Sequence, residues 1–343
     1  MYKYIEKFYP RIYYHKKYHI FLSYTAMSTV AKLISKPGEF IRRDSQFRKW
    51  ITADGSSGFK AEAGRYHLYV SLACPWAHRT LIVRHLKGLE DVISVNVVDL
   101  LLTEKGWHFS DEHPNNTLDT VNGCKYLKDV YRKANPDYDG AITVPVLWDK
   151  QKNTLVNNES SEIIRMLNSE FNSFCQTDEQ RKLDLYPENL RDEINELNSW
   201  IYPNINNGVY RCGFARSQQA YDDAVIKLFD HLDKVEIILS KQRYLTGNQF
   251  TEADVRLFTT LVRFDWVYHG HFKCNKKMLK EYPNIWAYAR EIYQMKDIAG
   301  TVDKDHIRKH YHESHTSINP FRILPVGADL DFLQPHRREN IGK

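Results

Sequence analysis

Cys74 is the residue with the most chemistry within its reach. It stands directly before Pro75 in the run Ser71-Leu72-Ala73-Cys74-Pro75-Trp76-Ala77-His78-Arg79, ahead of apolar Leu81, Ile82, Val83 and Leu86 at near-helical spacing. Proline is favoured at the first helical position, where its missing N–H costs nothing, so the run predicts a helix starting at Cys74-Pro75. A thiol at that point faces unpaired backbone N–H groups and the positive end of the helix dipole. Both favour the thiolate, which is the nucleophilic form. Taken alone, a Cys-Pro pair is equally the mark of a buried structural cysteine.

Two further features change that balance. Val144-Pro145 lies just before an extended segment, where a cis proline leaves the preceding residue's backbone free to pair with a peptide as though it were an added strand. Glu159-Ser160 then precede a helical stretch, and a carboxylate, a hydroxyl and helix-start N–H groups together can hold both an ammonium and a carboxylate. Ordinary helix capping explains that pair too. Thiolate, peptide-pairing edge and amino-acid-binding helix start together describe a receptacle for a small peptide thiol, and glutathione has the required parts.

These residues need elements to carry them. Arg65–Val70 and the β-branched Val92–Val98 read as strands around the helix at Cys74, a βαβ unit with a parallel pair. Thr143–Trp148 and Thr154–Val156 read as two more strands, and Ile163, Ile164 and Leu167 mark a following helix. That order is thioredoxin-like. Residues 100–140, polar and rich in Asn and Asp, read as an insertion within it. From about Gln180 to Met295 strand signals vanish and amphipathic stretches such as Leu190–Ile201, Ala220–Leu239 and Ala253–Tyr268 take over. Thr251-Glu252-Ala253-Asp254 matches a capping box. The expected organisation is α/β plus all-α: an extension and lead-in arm over 1–60, with order beginning at Arg65, a thioredoxin-like domain over 61–170, a helical domain over 171–312, and a tail over 313–343.

Composition narrows the function classes. The chain of 343 residues is 42% hydrophobic and 27% charged, and no apolar run is long enough to cross a bilayer. Of the net charge of +5, all but +1 belongs to residues 1–26, so the body carries little of the basic surface a nucleic-acid reader needs. Cysteines 74, 124, 175, 212 and 274 form no CxxC pair and sit beside no ligand-spaced histidines, which indicates neither a disulfide framework nor a metal site. A reducing, cytoplasmic compartment fits. The first 26 residues, with nine aromatics, leave three readings open: a mitochondrial targeting peptide, a disordered extension, or an upstream start with Met27 as initiator.

The chain resembles a known family, the Xi class of glutathione transferases, or glutathionyl-hydroquinone reductases, relatives of the omega class. The resemblance runs from about Gly64 to Pro325. It rests on Tyr69-Val-Ser-Leu-Ala-Cys74-Pro-Trp-Ala-His-Arg-Thr80, Glu104-Lys-Gly-Trp107, Thr143-Val-Pro-Val-Leu-Trp-Asp149, Val156-Asn-Asn-Glu-Ser-Ser-Glu-Ile-Ile164, Asn206-Asn-Gly-Val-Tyr210, Thr251-Glu-Ala-Asp-Val-Arg256, Arg263-Phe-Asp265, His271-Phe-Lys-Cys-Asn275, and His310-Tyr311 before Ile318-Asn-Pro320. It implies a helical glutathione-transferase domain, a homodimer, Cys74 as nucleophile, Trp107, Val144, Glu159 and Ser160 as glutathione contacts, and Tyr210 and Tyr311 lining the electrophile pocket. It also leads one to expect a basic residue at Ala141, near the glutathione carboxylate. Cys212, close to Tyr210, reads as packing rather than as a resolving thiol. His78 and Arg79 read as surface or helix-packing residues, and Trp200, Tyr221 and Trp266 as helix core.

The implied reaction is attack of Cys74 on the sulfur of a glutathionyl-hydroquinone, with Tyr210 and Tyr311 assisting the leaving quinol. A second glutathione then frees the cysteine, because Ala77 occupies the CxxC partner position. Two other functions share part of this set: an omega-like thioltransferase or dehydroascorbate reductase, and a non-catalytic interaction module on the same fold.

Overall fold

The protein is described here by a computed structural model covering residues 38–342, so the readings of residues 1–26 lie outside the described residues. Four strands form one mixed sheet in the order β2-β1-β3-β4: β1 (Tyr66–Val70), β2 (Ser94–Val97), β3 (Val146–Asp149) and β4 (Thr154–Asn157). β1 pairs parallel with β2 and antiparallel with β3, and β3 pairs antiparallel with β4. Helix α1 (Pro75–Leu86) makes the parallel crossover, with Cys74 as its N-cap, and α3 (Ser160–Ser169) follows β4. Every residue of β1 is buried, as expected of a strand inside a sheet covered on both faces.

Two stretches differ from their sequence reading. Within the supposed insertion, Leu127–Ala134 forms helix α2, burying Leu127, Val130 and Tyr131. The i, i+3, i+4 spacing of those three was present, but only eight residues long and set among Asn and Asp. The lead-in arm is ordered well before Arg65. The Lys49 N–H donates to the Val156 carbonyl at 3.0 Å, the Asn158 N–H to the Phe47 carbonyl at 3.1 Å, and Phe40, Ile51 and Phe59 join the core. The free edge of β4 supplies the cause: unpaired strand groups template a partner, and the arm occupies them.

The helical half comprises α4 (Asp178–Lys182), α5 (Arg191–Ile201), α6 (Gly208–Gly213), α7 (Gln218–Leu239), α8 (Glu252–Leu261), α9 (Pro283–Gln294) and α10 (Lys304–Ser314). The capping box at the start of α8 is formed, with the Thr251 N–H donating to Asp254 Oδ2 at 2.8 Å. Two π-helical turns interrupt the regular helices, Tyr202–Asn206 before α6 and Phe264–Tyr268 after α8. Such turns push a side chain out of helical register and often accompany functional sites. The tail beyond α10 runs extended and is pinned by Arg338, whose buried Nη2 donates to the carbonyls of Leu239, Gln242 and Arg243.

Candidate active site

Cys74 takes extended angles, φ −78° and ψ 122°, and its carbonyl accepts the first helical bond from the His78 N–H at 3.0 Å. Its half-buried thiol lies 3.5 Å from the Val144 carbonyl, across the mouth between α1 and the segment leading into β3. The loop before it is held from the helical half by Arg263. The buried Arg263 guanidinium donates to the Ala73 carbonyl (2.8 Å), the Leu72 carbonyl (2.9 Å) and the Thr259 carbonyl (2.7 Å). It also meets His78 Nδ1 at 3.0 Å. A guanidinium has no acceptor, so Nδ1 must accept, and the ring proton sits on Nε2, 2.7 Å from Thr301 Oγ1. Burial and the Arg263 charge push the His78 pKa well below its ordinary value, in keeping with that neutral tautomer. His78 and Arg79 are both buried, so neither is a surface residue.

Beside the thiol runs an open cleft whose walls include Trp76, Ala141, Val144, Pro145, Glu159 and Ser160. The Val144-Pro145 bond is cis, and the ladder with β1 starts only at Val146, leaving Val144 beyond it. Glu159 caps α3: its Oε1 accepts from the Ser161 N–H at 3.0 Å and hydroxyl at 2.9 Å, and Oε2 accepts from Ser45 Oγ at 3.2 Å. Burial works to raise the Glu159 pKa, but those donors, with Arg79 and Arg48 nearby, prevail and hold it below its usual value. The Glu159 carboxylate is thus ionised at neutral pH, fit to meet an ammonium.

Tyr210 and Tyr311 are brought together, hydroxyl to hydroxyl, and Tyr268 joins them with its Oη 3.2 Å from that of Tyr311. All three are buried. Burial first, then their mutual proximity, pushes the pKa of Tyr210 and of Tyr311 well above the ordinary value, and burial raises that of Tyr268; all three are phenols at neutral pH. The Tyr210 ring packs on Trp76, two residues past the thiol, with centroids 4.8 Å apart. None of the three lines this cleft, yet Tyr210 and Tyr268 are close enough to Cys74 for its charge to add to the rise in their pKa. Trp107 is also off that wall, stacked on His310 at 4.9 Å, next to Tyr311. Cys212 is buried, as a packing residue would be.

Proteins already known give this arrangement its context. The N-terminal domain of glutathione S-transferases matches residues 73–170, and the C-terminal domain matches residues 218–291. The glutathionyl-hydroquinone reductase YqjG of Escherichia coli is 54% identical over 311 residues, 89% of this chain and 94% of that protein. This chain belongs to the Xi class of glutathione transferases. A glutathione-bound structure of YqjG superposes with a TM-score of 0.83, covering 86% of this chain and 96% of that one. The Xi transferase of Phanerochaete chrysosporium, 52% identical, gives the same score over 86% of this chain and 99% of its own.

Within this Xi-class transferase, two contributions were invisible to sequence reasoning. Arg42, Arg43, Asp44 and Ser45 of the lead-in arm line the cleft, with the Arg42 guanidinium 3.5 Å from the centroid of Trp76. Nothing in their types distinguished them from a solvated linker. Tyr268 read as the end of an amphipathic stretch, hence core. The break of helical period over Phe264–Tyr268, which turns its hydroxyl toward Tyr311, was the only available signal. No helix among the described residues is long and apolar enough to cross a membrane, and no metal-ligand cluster is found among them.

Proposed function

We propose that the chain is a glutathione-dependent reductase that removes glutathione from glutathionyl-hydroquinones through a Cys74–glutathione mixed disulfide. The observation that carries this reading is the trio of protonated phenols, Tyr210, Tyr268 and Tyr311, joined hydroxyl to hydroxyl, with Tyr210 packed on Trp76 and near the thiol at the start of α1. Simple exchange between a thiolate and a disulfide expels a thiolate and has little need of a proton donor. Expelling an aromatic carbon does need one.

The cleft offers a partner to the cysteinyl peptide and to both charges of the γ-glutamyl end. Val144 offers backbone to the cysteinyl peptide, ionised Glu159 meets the γ-glutamyl ammonium, and Ser160 with the α3 N-terminus meets its carboxylate. YqjG has a glutathione-bound structure, which supports the same ligand here. Cys74 sulfur then attacks the glutathionyl sulfur. The carbon–sulfur bond breaks, its electron pair stays on the ring carbon, and that carbon takes a proton relayed from the phenols. The products are the free hydroquinone and a disulfide between Cys74 and glutathione. A second glutathione, as its thiolate, displaces Cys74 and leaves as glutathione disulfide, so the net reaction consumes one thiol and reduces one aryl thioether.

The test compares turnover of glutathionyl-menadiol with that of a small glutathione mixed disulfide, and looks by mass spectrometry for one glutathione on Cys74 after exposure to the quinol. Turnover of the disulfide alone would favour an omega-like thioltransferase. No adduct and no turnover on either would leave an interaction module. A homodimer, which the family implies, is checked by light scattering of the full chain.

A further inference from the structure

Against Ser160 lies Arg79. It is carried on α1 one turn past the nucleophile and is 1% exposed. Its Nη1 donates to Ser160 Oγ at 3.3 Å and its Nη2 to the Arg256 carbonyl at 3.3 Å, while Nε has no partner among the described residues. Among the described residues no carboxylate is in contact with it. The nearest acids are already engaged: Glu252 takes Arg165 through both oxygens, at 2.8 and 2.9 Å, and lies 3.5 Å from Arg256, while Glu159 is held by Ser161 and Ser45. Arg79 thus touches no carboxylate directly, and the negative charges nearest it, Glu159 and Glu252, are shared with Arg48, Arg165 and Arg256.

We propose that Arg79 is a positioning residue for the γ-glutamyl end of glutathione: it fixes the Ser160 hydroxyl as a donor to the ligand's α-carboxylate and supplies the charge that this carboxylate neutralises. The inference rests on the glutathione reading of the cleft and deepens it. Its direction follows from hydrogen-bond inventory. A guanidinium only donates, so Ser160 Oγ must accept from it, and the hydroxyl proton is left to point elsewhere. Ser160 lines the cleft, so that proton is free to point at a ligand carboxylate there. The electrostatics agree, because a buried cation that touches no carboxylate and shares its nearest ones with other guanidinium groups gains from a further anion nearby. Burial, with Arg256 alongside, pushes the Arg79 pKa down to about 9, so it still carries its charge at neutral pH.

The experiment measures equilibrium binding by calorimetry on the full chain carrying Cys74→Ser, which forms no adduct. The probes are glutathione and 4-aminobutyryl-cysteinylglycine, which lacks only the γ-glutamyl carboxylate. The parent should prefer glutathione. Arg79→Met should weaken glutathione roughly tenfold, the scale of a lost charge-assisted hydrogen bond, and leave the analogue almost unchanged. Ser160→Ala should do the same, and the double variant should lose no more than either single one, because the two act as a unit. Arg79→Lys, which keeps charge and one donor, should recover part of the preference; it also serves if Arg79→Met melts early. A structural role alone would weaken both ligands equally or give additive losses, and either result overturns the proposal. A parent that binds both probes equally well overturns it while leaving the glutathione reading intact. A parent that binds neither sinks both.

Discussion

At Cys74 the sequence offers one thiol and no CxxC partner to resolve it, since Ala77 stands three residues on. Cys74→Ser should therefore abolish release of hydroquinone from glutathionyl-menadiol, followed chromatographically. Retained turnover would remove the covalent step from the mechanism. A serine can still orient glutathione, so weak conjugation to an electrophile is the expected residue of activity. Tyr311 is the middle member of the phenol trio, touching both Tyr210 and Tyr268. Tyr311→Phe should lower kcat by about 10²-fold, the lower range for a lost proton donor, with the KM for glutathione unchanged. A rise in KM with steady kcat would instead place Tyr311 in binding. Burial keeps the Tyr311 proton on the phenol well beyond pH 10, so alkaline loss of activity is not expected to trace to it.

Among the elements, α8 carries the largest structural responsibility, because its end leads into Arg263 and so into the loop that presents Cys74. Asp254 anchors its start. One carboxylate accepts from the Thr251 N–H, the Leu245 N–H and the Tyr288 hydroxyl, at 2.8, 2.9 and 2.8 Å. Asp254→Ala strands three buried donors and should cost about 3 kcal/mol or more by denaturant unfolding. Thr251→Ala removes only the cap's hydroxyl and should cost about 1 kcal/mol. Equal losses would mean that the box acts through helix capping alone. This box, like the Cys74 cap, the cis proline and the Glu159 cap, was legible because each depends on neighbours in sequence. Thioredoxin-like order was legible for a related reason: β-branched runs and one Cys-Pro mark buried strands and a helix start. What escaped depends on distant partners. The arm's order comes from the edge of β4, the α2 helix from a sheet that covers three apolar side chains, and Tyr268 from a π-helical turn. Arg79 carried no sign in its type or spacing that it would be buried against Ser160.

Across the whole molecule, both halves and the joint between them bury histidines in the neutral form. His67 lies in the sheet, His78 at the joint under Arg263, and His271 and His310 in the helical half. Burial is the leading cause in each: it lowers the pKa of His67 and His310 to about 4 and that of His271 to about 3, and pushes that of His78 well below its usual value. Unfolded, each would titrate near 6.5. Below that pH the unfolded chain binds protons that the folded chain refuses, so stability present above pH 6.5 is lost as pH falls toward 4. Each such group contributes up to about 1.4 kcal/mol per pH unit in that window, so the four together reach on the order of 5 kcal/mol per unit. Asp254 and Asp265 oppose them. Burial raises the pKa of both, that of Asp254 to about 6, so the folded state takes up their protons first and gains stability on acidification, but with His312 and His315 also lowered by burial they are two groups against six. Stability, measured as the denaturant midpoint at fixed ionic strength, should hold between pH 7 and 8 and fall steeply from pH 6.5 to 5. His271→Asn should reduce the slope by about one proton's worth, because the unfolded chain then has one fewer site to fill. A midpoint flat across that range would mean that these rings accept protons in the folded state, and that the packing of Arg263 on His78 does not require a neutral imidazole.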